Sequence, residues 1–187
     1  MDYIDKVAKI WANQKEHKER VIGRYNSSEL SSIIDYHLSP AEWFNSRPKD
    51  LRGANNISWG MNTEEMLNKW LLAGDRKYTA QVKDVYKIDG IEIVCVSDFD
   101  FGDHILECKC PECPIEEIAG IKNSNIYQLE IQSRLFKKPI YVVYMGRKDH
   151  KIFKYKQSDE VLKKIEDGLK EFHKKILDYQ SNNHKTS

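Results

Sequence analysis

Apolar residues in the C-terminal part of the chain recur at spacings of four and three residues, which is the repeat of one helix face. They are Val161, Ile165, Leu169, Phe172, Ile176 and Tyr179. Ser158 or Asp159 can cap this segment, so the pattern predicts a helix over about residues 158–181 with a lysine-rich outer face. A shorter stripe near the N-terminus predicts another helix, with apolar positions at Ile4, Val7, Ile10 and Trp11.

Three further helices are predicted between these two. Pro40 can occupy the first turn of a short one. Asn62 can cap a helix over residues 63–73, with Glu65 reaching back as in a capping box. A longer helix is predicted over about residues 123–136, with apolar positions at Ile126, Leu129, Ile131 and Leu135.

The middle of the chain has strand character instead. Asp89-Gly90 is a strong signal for a type I′ hairpin turn, and it separates two such segments. A third follows, which predicts an antiparallel meander with strands over 78–88, 91–98 and 104–110. Beyond the 123–136 helix, residues 139–145 form a fourth predicted strand, and residues 152–155 form a short edge strand whose lysines discourage aggregation.

Length and charge narrow the class of protein. A chain of 187 residues suits one domain with a proper core. It has no run of about 18 apolar residues, and its first residues do not resemble a signal peptide, so we expect an intracellular protein that is not bound to a membrane. Residues 133–187 carry 14 Lys and Arg against 7 Asp and Glu, a net charge of +7, whereas residues 1–132 carry −6. The basic end can therefore meet a polyanion.

Candidate chemistry lies in the third strand of the meander. Side chains two residues apart share a strand face, so Glu107 and Lys109 point together. A two-residue turn at residues 102–103 would place Asp98 directly across from Glu107, with Asp100 on the same face one step nearer the turn. Adjacent carboxylates repel unless a cation lies between them, and hard oxygen ligands suit Mg²⁺ or Mn²⁺. Such an ion beside a lysine suits phosphodiester hydrolysis.

At these positions the sequence resembles the PD-(D/E)XK nuclease superfamily, and within it the RecB-like branch that includes CRISPR-associated and viral exonucleases. Glu107-Cys108-Lys109 matches the Glu-x-Lys motif of the family without alteration. The aspartate that precedes this motif in the family is matched by Asp98 or by Asp100, and the short interval leaves both open.

Two further motifs of the family are matched with changes. Glu64, four residues after Gly60, stands where the family has a metal-binding histidine, and Glu65 is the alternative. Gln128 resembles the glutamine of the Gln-x-x-x-Tyr helix of the RecB-like branch, with Gln132 in the place of the tyrosine.

The resemblance implies an α/β fold with a restriction-endonuclease-like core, in which helices flank a mixed central β-sheet. The core motifs cover about residues 58–146. A helical region over residues 1–57 and the basic helix over residues 158–181 would flank this core within a single nuclease domain of residues 1–187.

The resemblance also implies the roles of these residues. Asp98 and Glu107 would bind Mg²⁺ or Mn²⁺, Glu64 would complete the metal shell, and Lys109 would position the attacking water. Gln128 would contact the active-site lysine or the DNA. The implied activity is a metal-dependent deoxyribonuclease, an exonuclease that acts on single-stranded DNA or DNA ends.

Other functions stay open at this stage. One is a structure-selective endonuclease acting as a dimer, as Holliday-junction resolvases do, so a homo-oligomer is one expectation. Another is a nucleic-acid-binding module that keeps the nuclease fold without turnover, which the altered first motif favours. The choice between DNA and RNA is not fixed by the sequence, and the likeness to viral exonucleases also allows a virus-encoded enzyme acting in its host cell.

Four cysteines form a separate candidate site. In the hairpin register above, Cys95 opposes Cys110 on the face away from the carboxylates, which allows a disulfide between them. Cys108 and Cys113 bring the number of nearby thiols to four, so a zinc ion or an iron–sulfur cluster is a second interpretation. Buried free thiols are the third.

Overall fold

A mixed β-sheet of six strands is the centre of the part of the chain that the structure describes. The structure is a computed structural model that describes residues 20–45, 51–111, 113–146 and 149–183, with only the backbone of residues 51–58. The helix predicted near Ile4 lies outside these residues. The strands are β1 (Arg24–Asn26), β2 (Thr79–Ile88), β3 (Ile91–Asp100), β4 (Ile105–Lys109), β5 (Ile140–Met145) and β6 (His150–Lys154).

Strand β3 organises the sheet. β2 pairs with it in antiparallel fashion along one edge. On the other edge, β1 pairs with residues 92–94 in parallel, and β4 pairs with Phe99 and Asp100 in antiparallel fashion. The sheet continues through β5, which is parallel to β4, and ends at β6, which is antiparallel to β5. The predicted meander and the mixed sheet are thus confirmed.

Five α-helices accompany the sheet in the described residues. They are α1 (Leu30–Ile34), α2 (Pro40–Asn45), α3 (Leu51–Ala73), α4 (Asn123–Phe136) and α5 (Asp159–Asn183). The bounds predicted for α4 agree with the structure, and Lys137 ends the helix in the left-handed conformation with a φ of 53°. Within the described residues, no helix has the length and apolar character needed to cross a membrane.

Helix α3 corrects one prediction. It begins at Leu51, so Asn62 lies in its interior and does not cap it. The hydroxyl of Thr63, the next residue, donates a hydrogen bond of 2.9 Å to the carbonyl oxygen of Trp59 one turn earlier. Threonines in the middle of a helix make this bond. The asparagines and glycines of residues 51–62 are poor helix formers, and for that reason the sequence suggested a break that the folded chain overrides.

Both predicted tight turns of the meander are present. Asp89 and Gly90 have φ values of 46° and 83°, as a type I′ turn requires at its two central positions. Phe101 and His104 close the second turn through a backbone hydrogen bond of 2.9 Å, with Gly102 at a φ of 92°. These turns fix the register of β3, so they decide which side chains meet in the sheet.

Three hydrophobic clusters hold the layers together. The largest joins β1, β3 and the helices α1, α2, α4 and α5, and it includes the predicted face of α5 with Ile165, Leu169, Phe172 and Ile176. A second lies between β4, β5 and α4, around Ile105, Leu129 and Val142. The third packs Leu67 of α3 against β3 and β5. Helices therefore cover both faces of the sheet, as in an α/β sandwich.

Of the three interpretations of the cysteines, the disulfide between Cys95 and Cys110 is not present in the structure. All four cysteines are free thiols. Strand β4 ends at Lys109, before Cys110 can pair with β3, and the β3–β4 ladder covers two residue pairs next to the turn. Cys95 packs in the first core cluster, Cys113 against the second and Cys108 against the third, so the fold divides these thiols among separate environments and gives no support to one shared metal site.

Candidate active site

Strands β3 and β4 separate where the candidate residues lie. The ladder pairs Phe99 with Leu106, in the predicted register, but it does not continue to Asp98 and Glu107. Instead, the backbone N–H of Cys108 donates a hydrogen bond of 2.7 Å to Oδ2 of Asp98. A side chain thus replaces the backbone partner, and the two strands open around the acidic residues.

Glu107 is the centre of a buried polar network. Its side chain is 1% exposed, a rare state for a carboxylate. Oε1 accepts hydrogen bonds of 2.7 Å from Nζ of Lys109 and of 2.7 Å from Nε2 of Gln128. Oε2 accepts one of 3.1 Å from Nε2 of Gln132. A buried carboxylate is tolerated when it is paired and hydrogen-bonded in this way.

Helix α4 supplies the two glutamines from one face, because residues four apart in a helix lie above one another. Oε1 of Gln128 accepts a hydrogen bond of 3.1 Å from Nζ of Lys109, so Gln128 bridges Lys109 and Glu107. Nε2 of Gln132 also donates to the carbonyl oxygen of Val96, at 2.9 Å. The predicted contact of Gln128 with the lysine is therefore present.

Gln132 is a site residue that the sequence-based assignment left out. It is fully buried, and its Oε1 has no hydrogen-bond partner among the described residues. The signal was available, because a glutamine between the apolar positions of an amphipathic helix must find partners in the interior. In the family resemblance, however, this position marked the missing tyrosine and was not assigned a role.

The negative charge around Asp98 and Glu107 is not fully balanced by positive charge. Burial and the neighbouring carboxylate of Glu107 raise the pKa of Asp98 to about 8. The ammonium of Lys109 opposes this shift but does not cancel it. A buried and a half-buried carboxylate beside one ammonium therefore form a site in which a further cation would be favourable.

Lys109 keeps its proton in this environment. Burial acts to lower its pKa, but the carboxylates of Glu107 and Asp98 outweigh burial and hold the pKa above the usual value. The side chain is 23% exposed. A charged ammonium is therefore partly exposed, and it can meet solvent or a substrate.

Helix α3 brings Glu64 toward the same place. Its side chain accepts a hydrogen bond from the amide of Gln81 on β2. Burial raises the pKa of Glu64, and the charge of Glu107 contributes in the same direction. Glu65 faces away, since it is 47% exposed and pairs with Lys69 at 3.0 Å. Of the two glutamates, Glu64 is the one whose pKa is affected by the charge of Glu107.

Gln81 is in a strained conformation. Its φ of 55° lies in the left-handed region, which a residue other than glycine adopts rarely. It is also the position where the β2–β3 ladder is interrupted, opposite Asp98. Both strands that flank Asp98 thus depart from regular pairing at this residue.

Asp100 has a different environment from Asp98. Both of its carboxylate oxygens accept hydrogen bonds of 2.7 Å from Nζ of Lys138, and Oδ1 also accepts one of 2.8 Å from the backbone N–H of Gly102. Burial acts to raise the pKa of Asp100, but these donors outweigh it and hold the pKa below the usual value. Asp100 therefore anchors the hairpin turn, and Asp98 is the aspartate beside Glu107.

The donor set is compatible with Mg²⁺ or Mn²⁺. Among the described residues, no three His, Cys, Asp or Glu side chains converge as ligands of one ion. Mg²⁺ does not require such a cage, because it keeps several waters and binds through one or two carboxylates together with substrate phosphates. Asp98 and Glu107 provide two such carboxylates, and the raised pKa of Asp98 is consistent with a site that a cation would stabilise.

A cavity of about 750 Å³ lies beyond the C-terminal ends of β4 and β5, next to Lys109. Its walls come from α3 and from the segment that follows β4. They include Trp59, Thr63, Met66, Cys110, Cys113 and Met145. This space adjoins the polar network without being lined by it.

No protein-family model matches the sequence, and no curated protein matches it either. Solved structures do match the fold. The protein SSO0001 has a TM-score of 0.66 at 15% identity, over 90% of this chain and 85% of that one. The alkaline exonuclease LHK-Exo from Laribacter hongkongensis has a TM-score of 0.63 at 14% identity, over 96% of this chain and all of that one. LHK-Exo in complex with dAMP has a TM-score of 0.64 at 12% identity, over 89% and 96% of the two chains.

At these identities the likeness concerns the fold alone. It agrees with the predicted α/β architecture. The chain has the mixed α/β fold of an alkaline exonuclease, with the polar network of Glu107 where its central strands separate.

Proposed function

We propose that this protein is a metal-dependent nuclease that hydrolyses phosphodiester bonds of DNA. The observation that carries the proposal is the buried carboxylate of Glu107, which is hydrogen-bonded to Lys109 and raises the pKa of the neighbouring Asp98. Burying these three ionisable groups together is costly for stability, and such clusters are enriched at functional sites. The fold shared with an alkaline exonuclease supports the same reaction class.

Asp98 and Glu107 are the residues that would hold Mg²⁺ or Mn²⁺, with Glu64 as a third, more distant carboxylate. Such an ion supplies Lewis-acid stabilisation of a phosphate oxygen and lowers the pKa of a water. Lys109 stays charged, so it can orient that water and stabilise the negative charge that develops on the phosphorane. Gln128 fixes Lys109 and Glu107 relative to each other, which preorganises the site.

We propose DNA ends or single-stranded DNA as the substrate, with exonucleolytic cleavage. Support comes from the fold shared with LHK-Exo, an alkaline exonuclease whose structure was solved with dAMP. A non-catalytic nucleic-acid-binding module is the second candidate. It is favoured by Glu64, which makes a hydrogen bond to Gln81 and takes the place of the histidine in the family pattern.

A nuclease assay with the purified full chain tests the proposal. Labelled single-stranded DNA, blunt duplex, four-way junction and RNA are incubated with Mg²⁺, Mn²⁺ or EDTA. We expect metal-dependent release of short products from DNA and none with EDTA. Glu107→Ala should abolish cleavage with the fold intact, whereas Glu65→Ala, a change of the neighbouring exposed carboxylate, should not. Cleavage by Glu107→Ala at the wild-type rate contradicts the assignment of the site.

Binding without cleavage of any substrate would support the non-catalytic module. Cuts placed symmetrically in the junction, without shortening from linear ends, would support the structure-selective endonuclease. Circular dichroism spectra of both variants control for loss of the fold.

A further inference from the structure

A second concave surface lies at the C-terminal end of α4, away from the cavity near Lys109. It is a groove of about 740 Å³ between the end of α4, the start of β5 and the end of β6. Apart from Tyr155, all the ionisable residues that line the groove are cationic. Among the described residues, no Asp or Glu lines it. We name it the basic groove, and its cations are Arg134, Lys137, Lys138, Lys154 and Lys156.

Some of these charges are already partnered. Arg134 pairs with Glu130 at 2.7 Å and with Asp159 at 2.6 Å, and Lys138 pairs with Asp100. Lys137 and Lys156 are exposed, and neither makes an ion pair within the described part of the chain. The basic groove therefore keeps excess positive charge that the protein itself does not neutralise.

Ordinary structural reasons explain parts of this charge. Cations favour a helix C-terminus, which suits Arg134 and Lys137, and lysines on an edge strand such as β6 prevent aggregation. Neither reason explains why Lys137 and Lys156, from two separate segments, line one concavity without carboxylate partners among the residues that the structure describes. Like charges gathered in a cleft focus the field and attract a polyanion.

The basic groove adjoins the candidate active site. Ile140 in its wall pairs with Ile105, and Glu107 is two residues further along β4. Lys138 bonds to Asp100, which is two residues from Asp98 on β3. Lys109 is four residues from Ile105 along β4, which spans about 13 Å, or about two steps between neighbouring phosphates of an extended single strand. A strand that presents one phosphate at Lys109 can therefore place a phosphate further along its backbone in the groove.

We propose that the basic groove binds the sugar–phosphate backbone of a DNA strand next to the bond that is cleaved, an inference that rests on the proposed nuclease function. The groove offers ammonium and guanidinium donors, which bind phosphate but do not read bases. Binding there is therefore independent of sequence and strongly dependent on salt.

Fluorescence anisotropy with a labelled single-stranded oligonucleotide in EDTA tests this proposal without cleavage. The groove variant is Lys137→Glu with Lys156→Glu. The control variant is Lys163→Glu with Lys174→Glu, two exposed lysines of α5 that change the net charge by the same amount. We expect Kd to rise at least tenfold for the groove variant relative to the control. The slope of log K against log salt should also fall by about 1.4, at about 0.7 for each lost phosphate contact.

Equal affinities of the two variants, or no binding by the wild type, overturn the proposal. A pair of alanine substitutions at Lys137 and Lys156 replaces the glutamates if thermal melting reveals a folding defect. The outcomes separate the two proposals. Loss of binding in the groove variant, when the wild type cuts no substrate, keeps the groove and rejects the nuclease. If the wild type cleaves DNA and both variants bind with equal affinity, the nuclease function is kept and the role of the groove is rejected.

Discussion

The carboxylate of Asp98 accepts a hydrogen bond of 2.7 Å from the backbone N–H of Cys108, in place of a ladder partner. This contact keeps β3 and β4 apart where Asp98 and Glu107 lie, and it orients Asp98 from the strand that carries the Glu-x-Lys motif. The same bond favours the ionised form of Asp98, although burial and Glu107 outweigh it. The site is thus built around one aspartate whose charge the fold disfavours.

The two aspartates of β3 should respond differently to the same substitution. Asp98→Asn removes a carboxylate beside Glu107, so we expect loss of cleavage and weaker Mn²⁺ binding in isothermal titration calorimetry. Asp100→Asn should keep most of the activity. It breaks the ion pair with Lys138 and should lower the free energy of unfolding by about 1 kcal/mol. An inactive Asp100→Asn with an active Asp98→Asn would move the catalytic role to Asp100.

Stability of the metal-free protein should depend on pH through Asp98. Its folded-state pKa of about 8 lies above the unfolded value of about 4, so the folded state binds more protons between these limits. The free energy of unfolding should therefore decrease as pH rises from 5 to 8, with a slope on the order of 1 kcal/mol per pH unit. Urea unfolding in EDTA measures it, and Asp98→Asn should remove this contribution. A slope that is unchanged in that variant contradicts the environment described for Asp98.

Lys109→Ala should separate catalysis from metal binding. The ammonium is a donor to Glu107 and not a metal ligand, so we expect a loss of about 10²-fold to 10⁴-fold in rate. Mn²⁺ affinity should change far less than in Glu107→Ala, as measured by calorimetry on both variants. Equal losses of affinity would mean that Lys109 maintains the metal site and does not act on water or phosphate.

Gln132→Met should reveal the role of the second glutamine. Methionine has a similar volume but no donor, so Oε2 of Glu107 and the carbonyl oxygen of Val96 lose their contacts. We expect the free energy of unfolding to fall by about 1–3 kcal/mol, with a lower cleavage rate. Gln180→Met, at a half-buried glutamine of α5, is the matched control. Equal stability of both variants would mean that Gln132 does not support Glu107.

The sequence predicted the parts of the fold that depend on local signals. The turn at Asp89 and the bounds of α4 follow from short patterns with a known conformational cause. It did not predict β1, which has three residues and pairs with β3 far along the chain. It also placed the start of α3 at residue 63, whereas the helix begins at Leu51, because tertiary packing overrides the weak helix propensity of residues 51–62.

The sequence also predicted part of the candidate site, but not all of its contacts. Strand parity and hairpin register were enough to bring Glu107, Lys109 and Asp98 together. The separation of the strands at Asp98 and the bridge from Gln132 could not be predicted, because both depend on side chains that meet only after α4 packs against the sheet. Metal ligation by Glu64 and the extent of the nuclease domain remain predictions.

The contact between the first elements and α5 has a consequence for how the chain folds. Tyr25 and His173, which are 148 positions apart, share a hydrogen bond of 2.9 Å. A Cβ atom added to Gly168 would lie 2.9 Å from the side chain of Ile34, so Ile34 would have to shift to admit any side chain there. Contacts of such sequence separation form late and slow the folding reaction. During synthesis, the apolar surface of β1 and α1 that packs on α5 stays uncovered until α5 leaves the ribosome, and it is available to chaperones until then.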